Sequence, residues 1–310
     1  MNFYDALVSQ AQPVTVEPSE TSYFSPTASN LDPRLFRNGK IVPAVRSSVL
    51  RILFDYLKQK YRNPESYLKI WLAGSGVSYQ WTAARKPGDL DCLIGVNYPV
   101  FRQINPEYKA LSDAEIAAMF NAGFREDLHP KTDNFMGAFE LTFYVNVQSD
   151  IRNIRPYAAY SLIEDDWTVQ PEIKSAIPNK EWDKKVAKDK SMTMEILARY
   201  SAALTAVGSA TTDAARRNAE SALKLAVDQG AALFDDLHHG RSYAFSPSGS
   251  GYSDINNYRW QSGKSSGIVQ ALKKLKDVSS QGKKAFERQT YGMELPDAST
   301  LVRRALGSSK

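Results

Sequence analysis

Two aspartates one residue apart, Asp89 and Asp91, open the largely apolar run DLDCLIGV, residues 89–96. In an extended strand they project from one face, while Leu90 and Cys92 project from the other. Two carboxylates this close repel each other unless a cation lies between them. Mg²⁺ is the expected cation, because it takes oxygen ligands and is usually held by one or two carboxylates together with substrate phosphates. The spacing therefore predicts a site for Mg²⁺ (or Mn²⁺) and a phosphate-bearing substrate.

A Gly-Ser pair precedes the two aspartates in the chain. Residues 67–73, YLKIWLA, are typical of a short buried strand, and Gly74 and Ser75 end it. At a strand end, backbone N–H groups and a serine hydroxyl can bind phosphate oxygens. We therefore expect this pair to bind a nucleoside triphosphate (NTP). The alternative is that it forms only a turn.

A later strand offers a third carboxylate. Residues 137–147, GAFELTFYVNV, alternate between apolar and polar side chains, and Glu140 falls on the polar face. Three carboxylates can hold two metal ions, one lowering the pKa of an attacking hydroxyl and the other stabilising the leaving pyrophosphate. The expected chemistry is in-line nucleotidyl transfer with Glu140 as the third acid. Asp133 and Asp150 flank the same strand and are alternatives to it, and Glu140 could also face solvent without a role.

The order of elements predicts the fold class. Strand and helix patterns are mixed in the middle of the chain, where Ser112 and Glu115 form a capping box ahead of an amphipathic helix. The second half is alanine-rich and helix-periodic. We expect an α/β (α+β) core with a mixed sheet over residues 36–170 and a helical C-terminal domain over 171–310. The Pro-, Ser- and Thr-rich residues 1–35 are expected to form an extended N-terminal arm.

This arrangement resembles the polymerase-β superfamily of nucleotidyltransferases, whose motif is a strand, Gly-Ser, a spacer, [DE]-x-[DE] and a third acid on a later strand. The run TAARKPGDLDCLIGV, residues 82–96, is similar to the segment found in template-independent members, which include RNA-tailing enzymes and bacterial cyclic-oligonucleotide synthases. The resemblance covers about residues 40–150. Many such members have Gly-Thr where this chain has Trp81-Thr82, so we expect the nucleotide pocket to differ.

The resemblance implies a role for each of these residues. Gly74 and Ser75 would bind the NTP, Asp89 and Asp91 would bind the metal ions, and Glu140 would complete the acidic trio. It also implies a nucleotidyltransferase core followed by a helical C-terminal half, which is a common arrangement in the superfamily.

Residues 238–264 contain a second group of candidate ligands and are predicted to include a long Gly/Ser/Tyr-rich loop. Arg241, Arg259 and Lys264 are interleaved here with tyrosine, phenylalanine and tryptophan. Aromatic rings can stack on a base and cations can bind phosphates, so we expect these three side chains to contact the substrate. The alternative is an ordered loop whose aromatic side chains cover the helical core.

The formal charge of +5 is concentrated near the C-terminus, where residues 258–310 carry 11 Lys and Arg against 4 Asp and Glu. Such asymmetry favours a polyanionic partner, although a solvated helix face is the alternative. RNA, for example a tRNA end, is therefore the leading acceptor. The alternatives are synthesis of linear or cyclic oligonucleotides, with a second nucleotide as acceptor, and a nucleic-acid-binding protein that shares the fold without catalysing a reaction.

The composition argues against two classes of protein, those held together by disulfides and those that span a membrane. Cys92 is the single cysteine, so an internal disulfide framework is excluded. No apolar run reaches the length of a membrane span, and we expect a cytoplasmic protein with no membrane partner.

Overall fold

The computed structural model describes residues 2–18, 28–83, 86–173, 179–296 and 301. These residues form two compact units. The helical unit contains residues 2–18, 179–244 and 248–295. The sheet unit contains the described residues between 28 and 173, together with 245–247, 296 and 301. The expected boundary at 170/171 lies close to this division, but the beginning of the chain belongs to the helical unit.

The described part of the chain contains both β-strands and α-helices, and their lengths vary widely. The strands are β1 (Phe36–Arg37), β2 (Lys40–Ile41), β3 (Leu68–Ala73), β4 (Gly88–Val96), β5 (Phe139–Val145), β6 (Ala159–Ser161) and β7 (Asp166–Val169). The α-helices are α1 (Phe3–Gln10), α2 (Pro43–Lys58), α3 (Tyr98–Ile104), α4 (Asp113–Gly123), α5 (Lys180–Ser209), α6 (Asp213–Ala244), α7 (Ile255–Ser265) and α8 (Ile268–Tyr291).

Five strands form one mixed sheet in the order β5-β4-β3-β6-β7. β4 and β5 are parallel, whereas β3 is antiparallel to both β4 and β6, and β6 is antiparallel to β7. The sheet and the helical C-terminal region confirm the expected α+β class. They also place the three longest strands, β3, β4 and β5, side by side.

Alternation along β4 and β5 decides which face of the sheet enters the core. Leu90 and Cys92 on β4 and Leu141 on β5 are completely buried, as the alternating pattern predicted. They pack in one hydrophobic cluster with residues of α2 and α4, including Val49 and Phe120. The opposite face carries the polar side chains of both strands.

Local signals explain the helices that cover this core. Pro43 occupies the first turn of α2, where its fixed φ and missing N–H are tolerated. Ser112 caps α4: its hydroxyl accepts from the Glu115 N–H, and the Glu115 carboxylate accepts from the Ser112 N–H at 2.8 Å. The predicted capping box is confirmed.

Several elements differ from the expectation. The short strands β6 and β7 and the two-residue pair β1 and β2 were not predicted, because each is too short to show a period. In the arm expected to be extended over residues 1–35, Phe3–Gln10 is instead a helix with its own capping box between Asn2 and Asp5. Its Leu7 is buried in the core of the helical unit. Residues 1 and 19–27 of the arm lie outside the described residues.

The helical unit packs α1, α5, α6, α7 and α8 around a second core that includes Tyr200, Leu223 and Leu275. Gly230 on α6 permits close packing against α8, because an added Cβ would lie 2.3 Å from Leu275 Cδ1 and 3.0 Å from its Cβ. Within the described residues, no helix is long and apolar enough to cross a membrane.

This contact generates a test of the helical core. Gly230→Ala is expected to lower the free energy of unfolding by about 1–3 kcal/mol, since overpacking forces the completely buried Leu275 to move. Gly208→Ala on α5 is the matched control. Its added Cβ would meet nothing within 4 Å, so it should be neutral or stabilise by up to about 1 kcal/mol. Equal unfolding midpoints in urea for the two variants would contradict the packing described.

Candidate active site

The two predicted aspartates lie at the start of β4 on the same face of the sheet. Asp89 is exposed and Asp91 is half-buried, while Leu90 between them is completely buried. The apolar partners in the core therefore hold both carboxylates on the solvated face. This is the arrangement that the spacing predicted.

The parallel pairing of β4 with β5 places Glu140 beside the aspartates. Glu140 is the register partner of Asp89, and Thr142 is the partner of Asp91. Register partners on adjacent strands face the same side of a sheet at a strand separation of about 4.8 Å. Asp133 lies in a turn before β5, and Asp150 caps a short 3₁₀ helix after it by accepting from the Arg152 N–H at 2.9 Å. Of the three candidate acids, Glu140 is therefore the one in register with Asp89.

Hydrogen bonds orient two of these carboxylates. The Thr142 hydroxyl donates to Asp91 Oδ1 at 3.0 Å. A Glu140 oxygen lies 2.9 Å from Nε2 of His129, and both side chains are partly exposed. His129 begins a short 3₁₀ helix, His129–Lys131, and no sequence pattern linked it to Glu140. The structure thus adds Thr142 and His129 to the residues around the acids.

The described residues contain no group of three or more His, Cys, Asp or Glu side chains already arranged to hold a metal ion. Asp91 accepts a hydrogen bond from Thr142, and Glu140 lies against His129. The chemistry of the donor set nevertheless fits Mg²⁺, which is bound by carboxylate oxygens of this kind.

The Gly-Ser pair forms a turn directly against the acidic strand. Gly74 has a φ of +88°, and a Cβ added there would lie 3.1 Å from Asp91 Oδ2. A Cβ on Gly76 would lie only 2.3 Å from the backbone carbonyl oxygen of Asp89, so no larger residue fits without moving a strand. Ser75 begins a single 3₁₀ turn, Ser75–Val77, in which Val77 is completely buried. The turn therefore holds half-buried Ser75 next to Asp89 and Asp91.

A cleft opens beside this turn and includes residues that sequence reasoning missed. It is lined by Asp32, Arg34, Ser75, Gly76, Trp81, Thr82, Gly88, Asp89 and Phe139. Two of these, Asp32 and Arg34, come from the segment expected to be an extended arm. Trp81 fixes the neighbouring backbone, because its indole N–H donates to the Asn30 carbonyl oxygen at 2.7 Å. The departure at Trp81-Thr82 thus falls on the lining of this cleft.

The other predicted ligands lie in the helical unit. Arg241 is near the end of α6, and Arg259 and Lys264 are on α7, so most of the predicted loop 238–264 is helical. The sequence pattern did not indicate helix α7, because the buried face of this helix includes the polar residues Asn257 and Gln261 beside Trp260.

Arg259 is held by acidic partners. Its guanidinium donates to both carboxylate oxygens of Asp189, at 2.8 and 3.0 Å, and to Asp236 at 2.8 Å. These hydrogen bonds raise the pKa of Arg259, and its side chain is only 15% exposed. Arg241 lies over the Trp260 ring, with its charged carbon 5.6 Å from the ring centroid. The contacts of Arg259 link α5, α6 and α7 within the helical unit.

The middle of the basic segment 258–310 forms α8, and several lysines of this helix are paired. Lys276 pairs with Asp235, Lys284 lies 3.2 Å from a Glu294 oxygen, and Lys283 lies 3.7 Å from Glu287. Lys273 and Lys274 are exposed and have no acidic partner within the described part of the chain. Arg303, Arg304 and Lys310 lie outside the described residues.

Comparisons with known proteins found no similar protein. No family model matches the chain, and no curated protein or solved structure matches it.

The Thr142 hydrogen bond can be tested through stability. Thr142→Val keeps the shape and β propensity of the side chain but removes its donor, and we expect a loss of about 1 kcal/mol in the free energy of unfolding. Thr142→Ser is the control that keeps a hydroxyl. If the hydroxyl acts through Asp91, Thr142→Val should cost less in an Asp91→Ala background. Additive losses, measured by urea unfolding, would contradict this contact.

Proposed function

We propose that this protein is a metal-dependent nucleotidyltransferase that moves a nucleoside monophosphate from an NTP to a hydroxyl group. One observation carries the proposal: Asp89 and Asp91 share a strand face with Glu140 in parallel register, and the Gly74-Ser75 turn is packed against them. The motif resemblance supports the same assignment. On this proposal the sheet unit is the nucleotidyltransferase core.

The metal ligands would be Asp89, Asp91 and Glu140, with Mg²⁺ or Mn²⁺ as the ion. When bound, the metal would neutralise phosphate charge and increase the acidity of the attacking hydroxyl. To join the other two acids, Glu140 would exchange its contact with His129 for the metal. The Thr142 hydroxyl would keep Asp91 oriented during this change.

The remaining residues of the turn would bind the nucleotide. The hydroxyl of half-buried Ser75 would donate to a phosphate oxygen, and the glycines at 74 and 76 let the backbone approach the acidic strand closely. Fixed donors of this kind stabilise charge that develops on transferring groups. The chain therefore supplies the orientation, and the carboxylates supply the metal site.

RNA is the acceptor that we propose, and the charges on α8 support it only in part. α8 carries five lysines, and three of them, Lys276, Lys283 and Lys284, have carboxylate partners. The proposal therefore depends mainly on Lys273 and Lys274. Exposed lysines without a partner release counterions when they meet phosphates, which gives a salt-dependent affinity.

Asp89→Asn and Asp91→Asn are each expected to abolish transfer without unfolding the protein, since the amide keeps the shape and loses the charge that binds metal. Glu140→Gln should act in the same way, whereas Asp133→Asn and Asp150→Asn are matched controls that should retain activity. The assay incubates each variant with labelled NTPs, Mg²⁺ or Mn²⁺ and total RNA, and resolves tailed RNA, cyclic products and labelled protein on one gel. Unchanged activity in Asp89→Asn or Asp91→Asn would contradict the proposal.

The acceptor is tested separately by salt dependence. Replacing Lys273 and Lys274 with Gln should weaken RNA binding and reduce the slope of log affinity against log salt by about 1.4–1.8, as expected for two lost phosphate contacts. Replacing Lys185 and Lys188 on α5, which are also exposed, gives a control with the same change in charge. If both double variants keep the wild-type slope, these α8 lysines form a solvated face and RNA loses its support as acceptor.

A further inference from the structure

We propose that Arg34 binds the phosphates of the nucleotide in the cleft beside Ser75 and that Asp32 positions it, an inference that rests on the proposed nucleotidyl transfer. Both residues precede β1, outside the range covered by the motif resemblance. Neither was singled out by the sequence. The proposal is supported by the positions and contacts of Asp32 and Arg34 in the structure.

Asp32 and Arg34 form a hydrogen-bonded ion pair within the sheet unit. The Asp32 side chain is only 1% exposed, and its two oxygens accept from Arg34 Nε at 2.9 and 3.1 Å. A third hydrogen bond runs from Arg34 Nη2 to Asp32 Oδ2. A buried carboxylate is costly without such a partner, so Asp32 fixes one edge of the guanidinium.

Two aromatic rings lie close to the same guanidinium. Its central carbon lies 4.5 Å from the centroid of the Phe139 ring and 5.8 Å from that of Trp81. Stacking on aromatic faces suits arginine, whose flat group can keep hydrogen bonding at its edge while its face is covered. Arg34 is therefore held by an acidic partner and by contacts with two aromatic rings.

The fixed group keeps donors for a ligand. Guanidinium has five N–H donors, and within the described residues Nη1 makes no hydrogen bond. The side chain is 36% exposed and lines the cleft beside Ser75. A planar fork of this kind is suited to the oxygens of a phosphate.

The position of Arg34 in the cleft indicates which ligand its Nη1 donors would bind. It lines one cleft with Ser75, Gly76 and Asp89, and among the lining residues that the structure describes it is the only cation. A triphosphate at Ser75 carries several negative charges, and metal bound at the acids would offset only part of them. Of the lining residues that the structure describes, Arg34 is the one that can compensate part of the rest, and a contact with phosphate would act equally on all four NTPs.

The test measures binding and turnover for Arg34→Ala, Arg34→Lys and the control Arg37→Ala, an exposed arginine on β1. Calorimetry with Mg²⁺ and ATP, GTP, CTP, UTP or inorganic tripolyphosphate gives the affinity, and pyrophosphate release gives KM and kcat. Arg34→Ala should weaken binding of every NTP and of tripolyphosphate by about 10- to 100-fold, as expected for lost charge-assisted hydrogen bonds. Arg34→Lys should recover only part of this loss, and Arg37→Ala should behave as wild type.

The role of Asp32 is tested by a double-variant cycle. Asp32→Asn should raise KM for the NTP in the wild-type background and have no further effect in Arg34→Ala, because it acts through Arg34. An Asp32→Asn protein with a lowered unfolding midpoint but a wild-type KM for the NTP would contradict the positioning role and leave only a structural one.

The outcomes separate this inference from the proposed function. Wild-type affinity in a folded Arg34→Ala protein, an effect confined to one base, or a wild-type protein that binds neither NTP nor tripolyphosphate would overturn it. A wild-type protein that binds every NTP through Arg34 but releases no pyrophosphate would support the inference and overturn the transferase proposal.

Discussion

The register of β4 in the sheet is the constraint on which the candidate site depends. Because side chains alternate along a strand, Leu90, Cys92 and Ile94 enter the core only if Asp89 and Asp91 face away from it. A slip of one residue would bury both carboxylates and expose the apolar set, at a cost that no nearby contact could offset. The hydrophobic core therefore fixes the position of the acids before any ligand is present.

The same register brings the rest of the site together. Pairing with β5 places Glu140 beside Asp89 and Thr142 beside Asp91, while pairing with β3 brings Ala73 opposite Asp91. The turn after Ala73 can then follow the acidic strand closely, which only glycine permits at position 76. Three strands thus each contribute one part of the site: two acids, a third acid with its neighbouring hydroxyl, and a serine-bearing turn.

The sequence predicted the parts of this arrangement that have a period or a local signal. The alternation of β4 and β5, the turn at Gly74-Ser75 and the capping box of α4 could all be derived from it, since each depends on residues a few positions apart. The parallel pairing that aligns Glu140 with Asp89 could not be derived, because register between distant strands is set by tertiary packing. The same holds for Arg34, which reaches the cleft through contacts with Phe139 and Trp81, far along the chain. Helix α7 could not be predicted either, because its buried face is partly polar. Asn257 and Gln261 occupy buried positions at which an amphipathic helix usually has apolar residues.

A crystal structure of the protein with Mg²⁺ and a non-hydrolysable NTP analogue would show whether the three acids hold a metal beside the nucleotide. We predict electron density for a metal within about 2.1 Å of oxygens from Asp89 and Asp91, with Glu140 turned away from His129 and the triphosphate against Ser75. Nucleotide bound away from this strand face, or metal and nucleotide absent from these acids at saturating concentrations, would contradict it.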